Sequence, residues 1–445
     1  MKYAFLLSLL VGSTAASLPA INVTGNAFLN SETGERFYIR GVDYQPGGSS
    51  NLTDPLADVD VCSRDIPYFK DLGLNTIRVY SVDNTLSHSE CMEKLADAGI
   101  YLILDVTTPG TSISRSDPNC SYNADFLQNI FATVDAFANY TNVLGFFAGN
   151  EVVNNEDVLF TAPYIKATVR DLKKYIKARD YRQIPVGYSA ADVASVRLEL
   201  AEYLNCGNDS TARIDMLGIN DYSWCGHSSF TQSGYSEKVK MYSGFSVPMF
   251  LSEYGCNTQG TREFTEVASI YSTQMSSVFS GGLVYEYSQE DSDYGLVKID
   301  GDSVSPLEDY NNLRSMLNST SDPQGTGGYS TSYKPSKCPT DWNFTITVPD
   351  TPEDAQTYFD NGAGAGYGFE AETQESCDND DLSSVSSQSV TSAVSSTASS
   401  SSTKPSSSSS SSSTTSSSSS KGVGGQVQAG TFFSVFMILS ALLIQ

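Results

Sequence analysis

Short runs of apolar, β-branched and aromatic residues recur along the chain, each bounded by turn-forming residues. They lie at Phe37–Tyr44, Asn75–Tyr80, Tyr101–Val106, Leu144–Ala148, Ile184–Ser189, Met216–Tyr222, Met249–Glu253 and Gly282–Tyr287. Between most of them the apolar positions change to a helical period. Phe126 to Ala138 is one such stretch. Tyr164 to Lys177 is another, with Ile165, Val169, Leu172 and Ile176 on one face. Strands that alternate with helices pair in parallel through crossovers, and eight such units predict a closed (β/α)8 TIM barrel, an α/β fold. An open doubly wound sheet would more often carry a glycine-rich phosphate loop early in the chain, and none is visible.

The pattern breaks at both ends. Residues 1–17 carry one early charge, Lys2, then the apolar run Ala4 to Val11 and small residues, which predicts a secretory signal peptide. The barrel is expected over 18–330. A short C-terminal extension over 331–381, with Cys338, Trp342, the glycine-rich Gly362 to Gly368 and Cys377, is expected to pack on it. From 382 to 420 the chain is mostly serine; such a segment buries nothing and is expected to be a disordered, O-glycosylated stalk. Residues 421–445 end in the apolar run Thr431 to Ile444, behind a spacer and small residues. That order predicts a glycosylphosphatidylinositol (GPI) anchor signal, removed on attachment at Ser420, Gly422 or Gly424. A permanent membrane helix is the alternative, but it needs roughly 20 apolar residues.

Composition fits secretion. Eight cysteines form an even set with no CxxC pair, and only two histidines are present, so neither a metal nor another cofactor is expected. Sequons begin at Asn22, Asn51, Asn119, Asn139, Asn208, Asn318 and Asn343, the expected N-glycosylation sites. A net charge of −25 argues against nucleic acid and is compatible with a neutral substrate.

Two glutamates carry the candidate chemistry. Glu151, in Gly149-Asn150-Glu151, follows the fourth predicted strand; Glu253, in Ser252-Glu253-Tyr254-Gly255, ends the seventh. Carboxyl ends of barrel strands are where such folds assemble active sites, and a pair of carboxyls is what glycoside chemistry requires. Asp43, Tyr44, Gln45, Arg78, Tyr80, Asp105, Asn220, Asp221, Tyr222, Tyr285, Glu286 and Tyr287 fall at strand ends on the same face. Each has a plainer reading alone: Arg78 could simply pair with Asp43 or Asp105, and the tyrosines could cap the barrel.

The segments Gly41-Val42-Asp43-Tyr44-Gln45-Pro46, Arg78-Val79-Tyr80-Ser81-Val82-Asp83, Gly149-Asn150-Glu151, Asp221-Tyr222-Ser223-Trp224-Cys225 and Ser252-Glu253-Tyr254-Gly255-Cys256 occur in this order. Together they resemble the fungal β-1,3-glucanosyltransferases of glycoside hydrolase family 72, the Gas/Gel/Phr proteins, from about residue 20 to 340. The resemblance implies a retaining enzyme with Glu151 as acid/base and Glu253 as nucleophile, the latter supported by Arg78 and Tyr222. It implies sugar binding by Gln45, Tyr80, Asp105, Asn150, Tyr222 and Tyr285, with β-1,3-glucan as donor and acceptor. Glu151 is then expected to hold a proton near neutrality and Glu253 to stay ionised. The family pattern also implies the disulfides Cys62–Cys91, Cys206–Cys338 and Cys225–Cys256, leaving Cys120 and Cys377 either paired together or free. With only Cys338 and Cys377 beyond Cys256, the chain resembles the subgroup without a C-terminal cysteine-rich carbohydrate-binding module. The expected state is a monomer, GPI-anchored at the outer face of the plasma membrane or in the cell wall. An endo-β-1,3-glucanase would use the same two glutamates, and a catalytically silent wall protein is the reading from a different class.

Overall fold

The computed structural model describes residues 18–371. The expected signal peptide, stalk, anchor signal and Cys377 lie outside that range. Eight parallel strands close into a barrel: β1 Ile39–Asp43, β2 Thr76–Val79, β3 Tyr101–Asp105, β4 Val143–Asn150, β5 Val186–Ala191, β6 Met216–Asn220, β7 Met249–Tyr254 and β8 Phe279–Val284. Every expected strand is present, and β8 against β1 completes the ring. The largest shift is at β8, which starts at Phe279 and ends before Tyr285. Its first residues, Ser280-Gly281-Gly282, have turn composition, so the sequence alone places the strand too late. Tyr285 to Tyr287 then lie beyond the strand, on the open face.

Outer helices cover the barrel wall. Ala124–Phe137 begins at Asn123, whose side chain accepts from the Phe126 N–H, a capping interaction that fixes its start. The longest, Ala162–Ala178, buries Ile165, Val169, Leu172 and Ile176, the face anticipated from its periodicity. Apolar side chains inside the ring form a separate smaller core, including Ile39, Ile103, Leu144, Phe147, Met216, Phe250 and Leu283. Glycines make room for it. A Cβ at Gly145 would sit 2.6 Å from Met216 Cε, and one at Gly187 would sit 2.5 Å from Met216 Cγ.

An antiparallel ribbon, Ile21–Thr24, Ala27–Asn30 and Arg36–Phe37, contributes Ile21 and Phe28 to this inner core, with Phe28 against Phe250 at 5.9 Å. The ribbon was not anticipated from the pattern, because each of its strands is too short to show a period. It closes the end of the barrel opposite the glutamates.

Residues 331–371 run as a strap over the outer helices. Cys338 is bonded to Cys206, Trp342 lies 4.8 Å from Tyr203, and Tyr203 OH donates to Ile346 O. Thr351 donates to Asp171, Ala363 N–H donates to Tyr175 OH, and Gly368 N–H donates to Asn84 Oδ1. Cys62–Cys91 and Cys225–Cys256 are also bonded, and Cys120 is disulfide-bonded too.

Candidate active site

The β2 residue Arg78 is fully buried at the centre of the open face. Its Nε and Nη2 grip Asp105, at the end of β3, in a bidentate pair at 3.0 and 2.9 Å. Its Nη1 reaches Glu253 Oε1, Ser252 O and Tyr80 OH, each at 3.3 Å. Tyr80 OH donates to Glu253 Oε1 at 2.9 Å, and Tyr222 OH donates to Glu253 Oε2 at 2.6 Å. Glu253 is thus held by one cation and two phenols. Burial and the charge of Glu151 still push it up to about 7, against the opposing pull of Arg78, Tyr222 and Tyr80. The resemblance implies that Glu253 stays ionised; Arg78 and the two phenols favour that state, and burial and Glu151 oppose it.

Glu151 lies just past β4 and has a different setting. Its backbone is left-handed, with φ at +48°, a conformation that costs a residue with a side chain about 1 kcal/mol or more. The turn is pinned on both sides: Glu151 N–H donates to Ser189 O at 2.9 Å, and Arg115 Nη2 donates to Glu151 O at 2.8 Å. The carboxyl accepts from Asn220 Nδ2 at 2.9 Å, and the same amide reaches Asn150 Oδ1 at 3.2 Å. Asn220 is itself fixed by Ser252 and Ser189, whose hydroxyls donate to its Oδ1 at 2.7 and 3.1 Å. Three neighbouring strands, β5, β6 and β7, thereby orient one carboxyl of β4.

The remaining anticipated residues divide into two groups. Tyr285 stays partly exposed, with its hydroxyl 3.0 Å from Ser49 Oγ and its ring edge-on to Tyr80 and Tyr222, both at 6.4 Å. Gln45 is buried, and its polar atoms are already engaged. Oε1 accepts from the Tyr80 and Ser81 N–H groups, and Nε2 donates to Thr53, so it braces the loops after β1 and β2.

Asn220 was anticipated as a strand-end residue on this face, but not as the partner of Glu151, and Ser189 and Ser252 were given no role. Arg115 and Tyr294 were missed. Arg115 sits in a loop with no sequence signal. Tyr294 completes an aromatic group with Tyr222 and Tyr285, at 5.6 and 5.4 Å. Among the described residues, no group of three or more His, Cys, Asp or Glu is arranged to hold a metal ion.

Known proteins share this arrangement of chain and fold. The family model described as "Glucanosyltransferase" matches residues 10–321. The 1,3-beta-glucanosyltransferase GAS5 of Saccharomyces cerevisiae is 63% identical over 374 residues, covering 83% of this chain and 77% of that protein. The 1,3-beta-glucanosyltransferase PGA4 of Candida albicans is 58% identical over 369 residues, covering 82% of each. Among solved structures, a Gas2p mutant of Saccharomyces cerevisiae in complex with laminaritetraose and laminaripentaose superposes with a TM-score of 0.71. It is 41% identical and covers 76% of each chain. With the matched model spanning well over half its length, the chain belongs to the glucanosyltransferase family, glycoside hydrolase family 72.

Proposed function

We propose that this protein is a retaining β-1,3-glucanosyltransferase that cleaves a β-1,3-glucan chain internally and joins the new reducing end to the non-reducing end of another. The activity follows the relatives, which are named 1,3-beta-glucanosyltransferases. The residue roles rest on one observation: two carboxyls from β4 and β7 share a face, one gripped by Arg78 and two phenols and the other presented on a pinned turn.

Glu253 attacks the anomeric carbon while Glu151 gives its proton to the departing glycosidic oxygen, leaving a glycosyl ester on Glu253. Glu151, now ionised, takes the proton from a 3-hydroxyl of the acceptor as that oxygen displaces Glu253. Arg78, Tyr80 and Tyr222 stabilise the carboxylate that departs in the second step. Asn150 receives the Asn220 amide on its Oδ1, so its own amide hydrogens are the ones to offer the sugar 2-hydroxyl. Tyr80, Tyr222 and Tyr285 offer ring faces and edges to the pyranose, and Asp105 and Gln45 complete the pocket floor.

A reduced β-1,3-gluco-oligosaccharide, followed by mass spectrometry from the earliest times, tests the reading. Products longer than the substrate support transfer. Shorter products alone would make the protein an endo-β-1,3-glucanase on the same glutamates.

The proposal extends to a monomeric, module-free protein, secreted and held by a GPI anchor at the end of its serine-rich stalk, outside the plasma membrane or in the wall. The charge, the terminal patterns and the cysteine distribution support it. All seven sequon asparagines are exposed on the folded surface, which supports glycosylation there.

A further inference from the structure

Asp43, the last residue of β1, is completely buried beside Arg78, and neither of its carboxyl oxygens has a hydrogen-bond partner. The nearest cation is Arg78 Nη1, 3.8 Å from Oδ1, too long for a hydrogen bond. None of that guanidinium's donors reaches Asp43. Nε and Nη2 serve Asp105, and Nη1 is divided among Glu253, Ser252 O and Tyr80 OH. Among the described residues Arg78 is the one cation within ion-pair distance of Asp43, Asp105 and Glu253. Three buried carboxylates around one positive charge leave a net negative cluster in a medium that penalises even one unpaired ion.

We infer that Asp43 is held as an uncharged carboxylic acid in the working enzyme, and that it acts as a positioning residue through Arg78. In that form it fills the space beside Nη1 without drawing the guanidinium away from Glu253. An ionised Asp43 would compete for the same charge.

The groups that face Asp43 all bear on this. Arg78 is the one that favours its charge, whereas Glu253, Asp105 and Glu286 each disfavour it, and burial outweighs them all. Burial therefore pushes the Asp43 carboxyl well above the ordinary range despite Arg78. Asp105, in contrast, receives two guanidinium hydrogen bonds and is the natural counter-ion.

The test has two arms on the full secreted chain. In the first, the protein is produced with ¹³C-labelled aspartate, and its infrared spectrum is recorded near neutral pH. An isotope-shifted carbonyl band of a protonated, buried aspartic acid is expected in the wild type, and its absence would overturn the inference without any variant. In the second, Asp43→Asn mimics the neutral acid. The variant is expected to lose that band while keeping kcat/KM within about threefold and the acid limb of its pH profile unmoved. If Asp43 were ionised, removing its charge would lower the limb by about one unit or more, as for any close like charge. That result would also overturn the inference. The kinetic arm rests on Glu253 being the nucleophile; the infrared arm does not, so a failure of one reading is distinguishable from a failure of the other.

Discussion

The two glutamates sit on one face of one barrel, yet their surroundings are built from different materials. Around Glu253 the protein places a guanidinium and two phenols, all rooted in strands or strand ends, with Arg78 and Tyr80 buried and Tyr222 half-buried. Around Glu151 it places one neutral amide, relayed through two serines, and a strained turn tied down by Arg115. A nucleophile forms and breaks a bond to carbon, so its position and charge must be fixed. An acid/base group must exchange a proton in each half-reaction, so it needs orientation without a strong charge partner. The contrast explains why a strand interior serves one and a loop edge serves the other.

Removing each carboxyl is the strongest way to break the comparison. Glu253→Ala should lower transfer by about 10⁴-fold or more, and azide should restore a glycosyl azide of inverted configuration, read by NMR. Failure of every small anion to rescue would count against the nucleophile role. Glu151→Gln should cost about 10²–10⁴-fold on oligosaccharides, with far less loss on a glycosyl fluoride, whose leaving group needs no proton. The same variant should move the acid limb of the fluoride reaction below about 7, because the Glu151 charge is one cause of the raised Glu253 value.

The next test sharpens the role of the relay. Asn220→Ala should lower kcat by about tenfold to a hundredfold with little change in KM, since it frees Glu151 without touching the Arg78 cluster. An equal loss in KM would place Asn220 on the substrate instead.

Stability supplies the smallest effect and an independent sign. Glu253 keeps a proton up to about 7 in the folded protein, against about 4.5 when unfolded. Between these values the unfolded chain has released a proton that the folded one still holds, so this group's contribution to stability falls as pH rises. Glu253→Gln should therefore match the wild type below about pH 4.5 and become more stable as pH rises to 7, by about 3 kcal/mol. Thermal melts across that range would show it. A constant gap would mean that burial does not perturb Glu253.

The barrel was legible because its strands are apolar on both faces and its helices are amphipathic, so Tyr101–Asp105 and Ala162–Ala178 announce themselves. Glu151 and Glu253 were legible because strand ends can be located once strands are. What the pattern could not carry was the partnership between elements. Nothing local marks Tyr80 OH as a donor to Glu253, and nothing ties Ser189 and Ser252 to one amide. Gln45 shows the converse: its position at a strand end is right, but only packing reveals that Thr53, Tyr80 and Ser81 already occupy it.

The strap over the outer helices also sets how the molecule bears a mechanical load. Between residue 371 and Cys338 it is fastened at many points: Gly368 to Asn84, Tyr367 to Asn129 and Gln128, Ala363 to Tyr175, and Thr351 to Asp171 and Arg170. A pull along the strap is shared among these contacts, and the covalent bond from Cys338 to Cys206 stops what they release. Load is thereby spread over the outer layer ahead of the strands that hold Arg78 and the two glutamates.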